Sequence, residues 1–293
     1  MKKDITALFC FVDDFCKISE QWINKSFLPL INKNPTRKPE ISYSELLTIV
    51  LLYHQSPCKN FKYFYMSYLQ LYKSDFVTLP SYTRFIALKP RVLSYLVLLL
   101  EWYMQAAQST GVSYIDATSL EVCHRKRISR NKVFAGIAAL GKTTKSWFFG
   151  LKLHLVINEK GEIQGLKLTP GNVDDRAPVS IITKHITGLL FGDKGYIKQE
   201  LFDDLYSKGI KLVTGIKKKM KNKLMPLFEK ILLRKRSIIE TVFSVLKGAF
   251  EIEHTRHRSI WNAFVHILSA LIAYCMKPNK PAISQNELIQ NSG

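Results

Sequence analysis

Residues 147–158 read W-F-F-G-L-K-L-H-L-V-I-N, and residues 163–170 read I-Q-G-L-K-L-T-P. The first stretch alternates apolar and polar side chains and is rich in residues that favour β-strands. The intervening E-K-G-E (159–162) contains a glycine and reverses the chain direction, so the pattern predicts a β-hairpin. A single hairpin is marginal in water, so other strands and helices must pack around it.

Three further apolar stretches predict the strands that join this hairpin. V-S-Y-I-D-A-T (112–118) is read as a short strand ending in Asp116, and G-L-L-F-G-D (188–193) as one ending in Asp193. K-L-V-T-G-I (211–216) predicts a fifth strand. Helices are predicted at 178–186, 198–207, 231–250 and 259–276. Strands interspersed with helices in this order predict a mixed α/β domain.

The first hundred residues carry apolar side chains at helical spacing and contain no alternating run. Ser42 and Glu45 in S-Y-S-E (42–45) form a capping box ahead of the apolar run L-L-T-I-V-L-L-Y. We therefore predict two domains. Residues 1–108 form a helical N-terminal domain with a role in DNA docking, and residues 109–293 form the α/β domain together with the C-terminal helices.

The positive charge of the chain is concentrated in two stretches. The 293 residues include 43 Lys or Arg and 23 Asp or Glu, which gives a formal net charge of +20. Residues 121–152 hold eight of the basic residues and one acid, and residues 208–236 hold eleven and one acid. A general compositional bias would spread such an excess evenly, so its clustering favours a phosphate backbone as partner. The predicted DNA contacts in the loops are Arg125, Lys126, Arg127, Lys142, Lys217, Lys218 and Lys219.

Two aspartates at strand ends suggest a shared cation, because Asp is a poor strand residue. Magnesium takes oxygen ligands and binds through a few carboxylates together with substrate phosphate. Glu240 is the candidate third ligand, on the helix R-S-I-I-E-T-V-F-S-V-L-K. Arg236 lies four residues before it and Lys247 seven after it, which places all three on one helix face. These two cations are predicted to bind DNA phosphates.

The motifs V-S-Y-I-D-A-T, F-G-D-K-G-Y and R-x-x-x-E-x-x-x-x-x-x-K, in that order, resemble the DDE transposases of bacterial insertion sequences. L-T-P-G-N-V-D-D-R (168–176) is similar to a loop of the same family, and the chain most resembles the insertion-sequence family numbered 982. Leu233 stands where the wider family often has Tyr.

The resemblance implies an RNase H-like catalytic domain that cleaves and joins DNA strands. It implies Asp116, Asp193 and Glu240 as catalytic residues and as ligands of Mg²⁺ or Mn²⁺, with two ions at the site. The implied partners are double-stranded DNA, as element terminal inverted repeats and as target, and a second copy of the chain when the two assemble on DNA. The implied location is the cytoplasm, in association with the nucleoid.

Several alternatives remain open from the sequence. G-I-A-A-L-G-K-T (136–143) matches the phosphate-binding pattern of ATPases, but a strand-like stretch follows where that loop requires a helix. Asp174 and Asp175 are alternative metal ligands. Two other function classes are a metal-dependent nuclease of similar fold and a DNA-binding protein without catalysis. Cleavage without strand joining would indicate the nuclease.

One segment has the length of a membrane span. Residues 259–276 are uncharged, but they include Asn262 and His266 and several small residues, which favours a buried helix and no membrane. The five cysteines are scattered and form no C-x-x-C motif. This pattern predicts a protein of the reducing cytoplasm.

Overall fold

The structure is a computed structural model, and it describes residues 4–26, 40–107, 109–143, 146–216 and 224–283. Its contacts divide the chain into two compact units. The first combines the N-terminal residues up to Trp102 with Ala249–Ile252 and His257–Met276. The second runs from Tyr103 to Gly248 and also includes Glu253–Arg256 and the chain after Met276.

The helices are named in chain order. They are α1 (Thr6–Ser26), α2 (Tyr43–Gln55), α3 (Phe61–Tyr63), α4 (Tyr82–Leu88), α5 (Leu93–Ala106), α6 (Val179–Ile182), α7 (Gln199–Ser207), α8 (Leu227–Arg234), α9 (Ser237–Gly248) and α10 (Ile260–Cys275). The strands are β1 (Val112–Cys123), β2 (Ala139–Lys142), β3 (Trp147–Asn158), β4 (Ile163–Pro170), β5 (Gly188–Gly192) and β6 (Ile210–Thr214).

The first unit is built on α2, which contacts both α1 and α10. The predicted capping box is confirmed: the Glu45 backbone N–H donates to Ser42 Oγ, and the Ser42 N–H donates to the Glu45 carboxylate. The predicted boundaries group α10 with the α/β domain, whereas in the structure α10 belongs to the helical unit because its apolar face packs on α2. Among the described residues, no helix has the length and apolar character needed to cross a bilayer.

The second unit is a mixed six-stranded sheet, which confirms the α/β class. β3 lies between β1 on one side and β2 and β4 on the other, and all three pair with it antiparallel. The pairing of β3 with β4 is the predicted hairpin. On the far side of β1, β5 and then β6 continue the sheet in parallel.

Helices cover both faces of this sheet. On one face, Ile115, Leu190 and Leu212 pack with apolar residues of α6 and α7. On the other face, α9 contacts β1, and the Tyr114 hydroxyl donates to the Leu232 carbonyl at 3.4 Å. Successive residues of a strand face opposite sides, so Asp116 shares the face of Tyr114 and points to the side of α8 and α9.

Three predicted elements differ from the structure. The strand predicted to end at Asp116 continues to Cys123, because it pairs with β3 from Ser113 to Cys123, with an irregularity after Glu121. The helix predicted over 231–250 is two helices, α8 and α9, and Arg236 lies in the turn between them. The third difference is β2 (Ala139–Lys142), a strand that the sequence pattern does not predict.

Candidate active site

Strand register places the first two acids side by side. The parallel pairing of β1 with β5 matches Val112 to Leu189 and Tyr114 to Phe191. Each acid follows this paired register by two residues, Asp116 on β1 and Asp193 directly after the end of β5. Both line one open cavity of about 530 Å³. The position of Asp193 is fixed locally, because its carboxylate accepts a hydrogen bond from the Gly195 backbone N–H.

Arg236 connects Asp116 to the third acid. Its Nη1 lies 3.4 Å from Asp116 Oδ2, and its Nη2 lies 3.6 Å from Glu240 Oε1. The Asp116 side chain is 24% exposed and that of Glu240 is 61% exposed. The turn between α8 and α9 therefore brings a guanidinium between a half-buried carboxylate on the sheet and an exposed one on the helix.

The electrostatics of Asp116 show that it senses the charges of the other two carboxylates. Burial raises the pKa of Asp116 to about 6, against the lowering effect of the Ala117 N–H and Arg236. The negative charges of Asp193 and Glu240 raise the pKa further. Tyr196 lines the same cavity, and burial together with Asp116, Asp175 and Asp193 raises its pKa, so its hydroxyl stays neutral.

The donor set fits a divalent cation in its chemistry. The three groups are carboxylates, which Mg²⁺ and Mn²⁺ accept as ligands, and the mutual repulsion felt at Asp116 is what a cation would relieve. Over the described ranges, no group of three or more His, Cys, Asp or Glu side chains is close enough together to hold a metal ion. The positive charge between Asp116 and Glu240 is that of Arg236.

The alternative ligands Asp174 and Asp175 lie in the cavity wall, and each has a cationic partner. Arg176 donates to Asp174 through Nε at 2.9 Å and Nη2 at 2.6 Å, and these hydrogen bonds lower the pKa of Asp174. Lys152 Nζ donates to Asp175 and to the Val173 carbonyl, both at 2.9 Å. The sequence identifies Lys152 only as one of the basic residues of 121–152. In the structure its two hydrogen bonds hold the 171–176 loop against β3.

His154 lies behind the same loop and is fully buried. Its Nε2 is 2.8 Å from Thr169 Oγ1, and burial lowers its pKa to about 4. Its Nδ1 lies 4.0 Å from Asp175 Oδ1 and has no hydrogen-bond partner among the described residues. His154 therefore packs on a face of β3, with its Nε2 bonded to Thr169.

The segment G-I-A-A-L-G-K-T does not form a phosphate-binding loop. Residues 139–142 are strand β2, and the next described element is strand β3, which begins at Trp147. A Cβ on Gly141 would lie 2.2 Å from the Gly171 carbonyl oxygen, so the glycine permits the 171–176 loop to approach β2 closely. Lys142 lies at the end of β2 with Nζ 5.5 Å from the centre of the Trp147 ring, and both line the cavity.

The predicted DNA contacts fall into three groups. Arg125, Lys126 and Arg127 are exposed on a 3₁₀ helix after β1, and Lys142 is also exposed. Lys247 Nζ is engaged within the chain, at 2.6 Å from the Ser119 carbonyl and 3.0 Å from Glu253 Oε2. The third group lies outside the described residues and comprises Lys217, Lys218 and Lys219.

The chain matches the model of a known protein family. The family model described as "Transposase DDE domain" matches residues 106–260, which is more than half of the chain and contains all three acids. No curated protein matches the chain. The match and the mixed sheet together confirm the expected RNase H-like type of transposase catalytic domain.

Solved structures of Mos1 transposase are also similar to the chain. The crystal structure of the Mos1 strand transfer complex is 12% identical, with a TM-score of 0.22, and the match covers 92% of this chain and 88% of that one. The Mos1 mariner paired end complex with Mn is 13% identical, with a TM-score of 0.25 and the same coverage. At these scores the likeness adds nothing to the assignment, which rests on the family match.

Proposed function

The chain belongs to the family of transposase DDE domains, and on this premise we propose that it binds the ends of an insertion sequence and catalyses metal-dependent DNA cleavage and strand transfer. The observation that supports this proposal most directly is the placement of Asp116 beside Asp193 in an open cavity, with Glu240 linked to Asp116 through Arg236. The motif resemblance further favours a bacterial element of the family numbered 982.

The three acids and Arg236 have different roles in this proposal. Asp116, Asp193 and Glu240 would hold the metal, as two Mg²⁺ or Mn²⁺ ions. When bound, such ions activate the attacking oxygen and stabilise the leaving oxygen of a phosphoryl transfer. Arg236 balances the acids and can donate to a DNA phosphate.

The remaining assignments follow from charge and from the family. A net charge of +20 supports duplex DNA as the partner, with terminal inverted repeats and target DNA as its two forms. We propose that two copies of the chain assemble on DNA, and that the protein acts in the cytoplasm on the nucleoid.

The test uses the purified full chain and duplex DNA that carries the inverted repeats flanking its own gene. With Mg²⁺, strand breaks should appear at the repeat ends and joined products should follow, whereas EDTA or Asp116→Ala should abolish both. Asp203→Ala is the matched control, because Asp203 is an exposed aspartate on α7 of the same unit and should leave cleavage unchanged. Metal-dependent cleavage without joining would indicate a nuclease, and binding with neither product would indicate a DNA-binding protein without catalysis.

A further inference from the structure

A second cavity, of about 380 Å³, lies where β1 ends. We call it the basic groove, and its lining contains three cations and no carboxylate. The lining residues are Cys123, His124, Lys126, Arg127, Thr255 and Arg256. Two segments far apart in the sequence therefore form one positively charged surface within the second unit.

Glu253 joins these two segments. Its Oε1 accepts a hydrogen bond from the Glu121 backbone N–H at 2.8 Å, and its Oε2 pairs with Lys247 Nζ at 3.0 Å. Lys247 also donates to the Ser119 carbonyl. The Glu253 carboxylate thus attaches the segment 253–256 to β1. Because this carboxylate already pairs with Lys247, it does not neutralise the cations that line the groove.

The two walls of the groove share a local structure. On one wall the Lys126 N–H donates to His124 Nδ1 at 3.3 Å, and on the other the Arg256 N–H donates to His254 Nδ1 at 3.0 Å. In each case a histidine side chain accepts a backbone N–H two residues further on, and the residue at that position is an exposed cation that lines the groove. The repeated turn presents one cation from each side.

These cations differ in their pairing from those at the carboxylates. Lys152, Arg176 and Arg236 each lie within 4.0 Å of an Asp or Glu oxygen. Within the part of the chain that the structure describes, Lys126, Arg127 and Arg256 form no ion pair. A cluster of unpaired like charges is unfavourable by itself and favours binding of an anion.

We propose that the basic groove binds the phosphodiester backbone of the same DNA duplex whose reacting phosphate lies at Asp116, an inference that rests on the proposed function. Cys123 lies seven residues after Asp116 on β1, a distance along the strand of at most about 24 Å. Duplex DNA rises about 3.4 Å per base pair. The groove therefore contacts a phosphate within about seven base pairs of the cleaved bond.

The first test measures how DNA affinity depends on salt for the full chain and a duplex carrying the flanking repeats, without divalent cation. Lys126→Gln combined with Arg256→Gln should reduce the log–log slope by about 1.8, or 0.9 for each lost phosphate contact. The control combines Lys167→Gln with Lys184→Gln, which removes equal charge from exposed positions on β4 and after α6. The salt slope of this control variant should equal that of the unaltered protein. An unchanged slope in the groove variant, or an equal fall in both, would overturn the proposal.

The second test finds the contacted phosphate. Single phosphates of the duplex are replaced by neutral methylphosphonates, and the affinity of each duplex is measured. Replacement at the groove contact should weaken binding of the unaltered protein but not of the groove variant, because that contact is already lost. The sensitive positions should lie within about seven base pairs of the cleaved bond. If both proteins show the same sensitive positions, the groove does not hold the backbone.

Both tests report binding and need no catalysis. If the groove proves not to bind the DNA backbone, cleavage and its dependence on Asp116 are unaffected. Failure of cleavage would leave the salt slopes and the methylphosphonate pattern interpretable, so the two proposals can be rejected separately.

Discussion

The cavity lined by Asp116 and Asp193 and the basic groove lie at two points along strand β1. The two regions differ in whether their charged side chains are paired. At the carboxylates, acids and cations alternate, and Arg236, Lys152 and Arg176 each have an acidic partner. Beside the groove, the Glu253 carboxylate is used by Lys247 and a backbone N–H. Balanced charge holds groups in place for chemistry, whereas unbalanced charge attracts a ligand, so mutations in the two regions should affect different measurements.

The largest effect is expected from Glu240→Gln or Asp193→Ala. Removing a metal ligand should lower the cleavage rate on the order of a hundredfold or more, while DNA affinity stays within a few-fold. The groove variant should show the reverse, with weaker binding and a nearly unchanged rate at saturating DNA. Rates are compared on the repeat-end duplex in Mg²⁺. Normal cleavage by the Glu240→Gln protein would contradict the role of Glu240 as a metal ligand. Asp174 and Asp175 would then be the candidate ligands to test.

Asp116→Asn should yield a protein that is inactive but more stable. Burial raises the pKa of Asp116 to about 6, above its ordinary value of 3.8, so the folded state favours the neutral acid. The unaltered protein therefore loses stability as the pH rises through about 6, whereas Asn cannot ionise. After allowing for the lost contact with Arg236, the variant should be about 2 kcal/mol more stable at pH 8 and roughly half that at pH 5.

Urea unfolding at the two pH values measures this difference. Asp203→Asn serves as the control, because it changes an exposed aspartate of the same unit and should shift the unfolding free energy by less than about 0.5 kcal/mol. Added Mg²⁺ should stabilise the unaltered protein and reduce the gap. A gap that does not depend on pH would mean that ionisation of Asp116 is not its cause.

Glu253→Gln tests how the groove is built. The change keeps an acceptor for the Glu121 N–H but removes the ion pair with Lys247, whose side chain is 30% exposed. It should cost about 1 kcal/mol of unfolding free energy and weaken DNA binding, because one wall of the groove is less firmly attached. Glu200→Gln is a suitable control, since Glu200 forms an exposed pair with Lys198 on α7. Lower stability with unchanged DNA affinity would show that the Glu253–Lys247 pair stabilises the fold but is not needed for DNA binding.

The smallest effect is expected from Lys142→Ala, in the segment that resembles an ATPase loop. Because this segment is strand β2, neither protein should hydrolyse ATP, with or without DNA. DNA affinity should fall only modestly, by about two- to fivefold, as one exposed cation near Trp147 is lost. The measurement is phosphate release alongside a binding titration. DNA-stimulated hydrolysis that the substitution removes would reverse this interpretation.

The sequence predicted the elements that depend on local pattern. The hairpin of β3 and β4 follows from alternation, and the α2 capping box follows from Ser42 and Glu45. The sequence predicts a strand that ends in Asp193, and in the structure β5 ends one residue earlier, at Gly192, where the apolar run stops. These features need only a window of a few residues, which is the range over which periodicity and turn chemistry act.

The sequence could not predict features that arise from distant contacts. β2 contains Gly141 and Ala139 and is a strand only because it pairs with β3. The break between α8 and α9 occurs at Lys235 and Arg236, where no glycine or proline signals it. The hydrogen bond that builds the groove joins residues 132 positions apart, beyond the reach of any local pattern.

The continuation of β1 past Asp116 has a consequence for how such proteins diverge. An inserted residue between Asp116 and Cys123 would turn every later side chain of the strand to the opposite face. Two inserted residues would restore the faces and lengthen the strand by about 6.6 Å, close to two base pairs of duplex. An insertion of two residues would therefore change the distance between the cleaved bond and the contacted backbone while keeping the later side chains of β1 on their faces of the sheet.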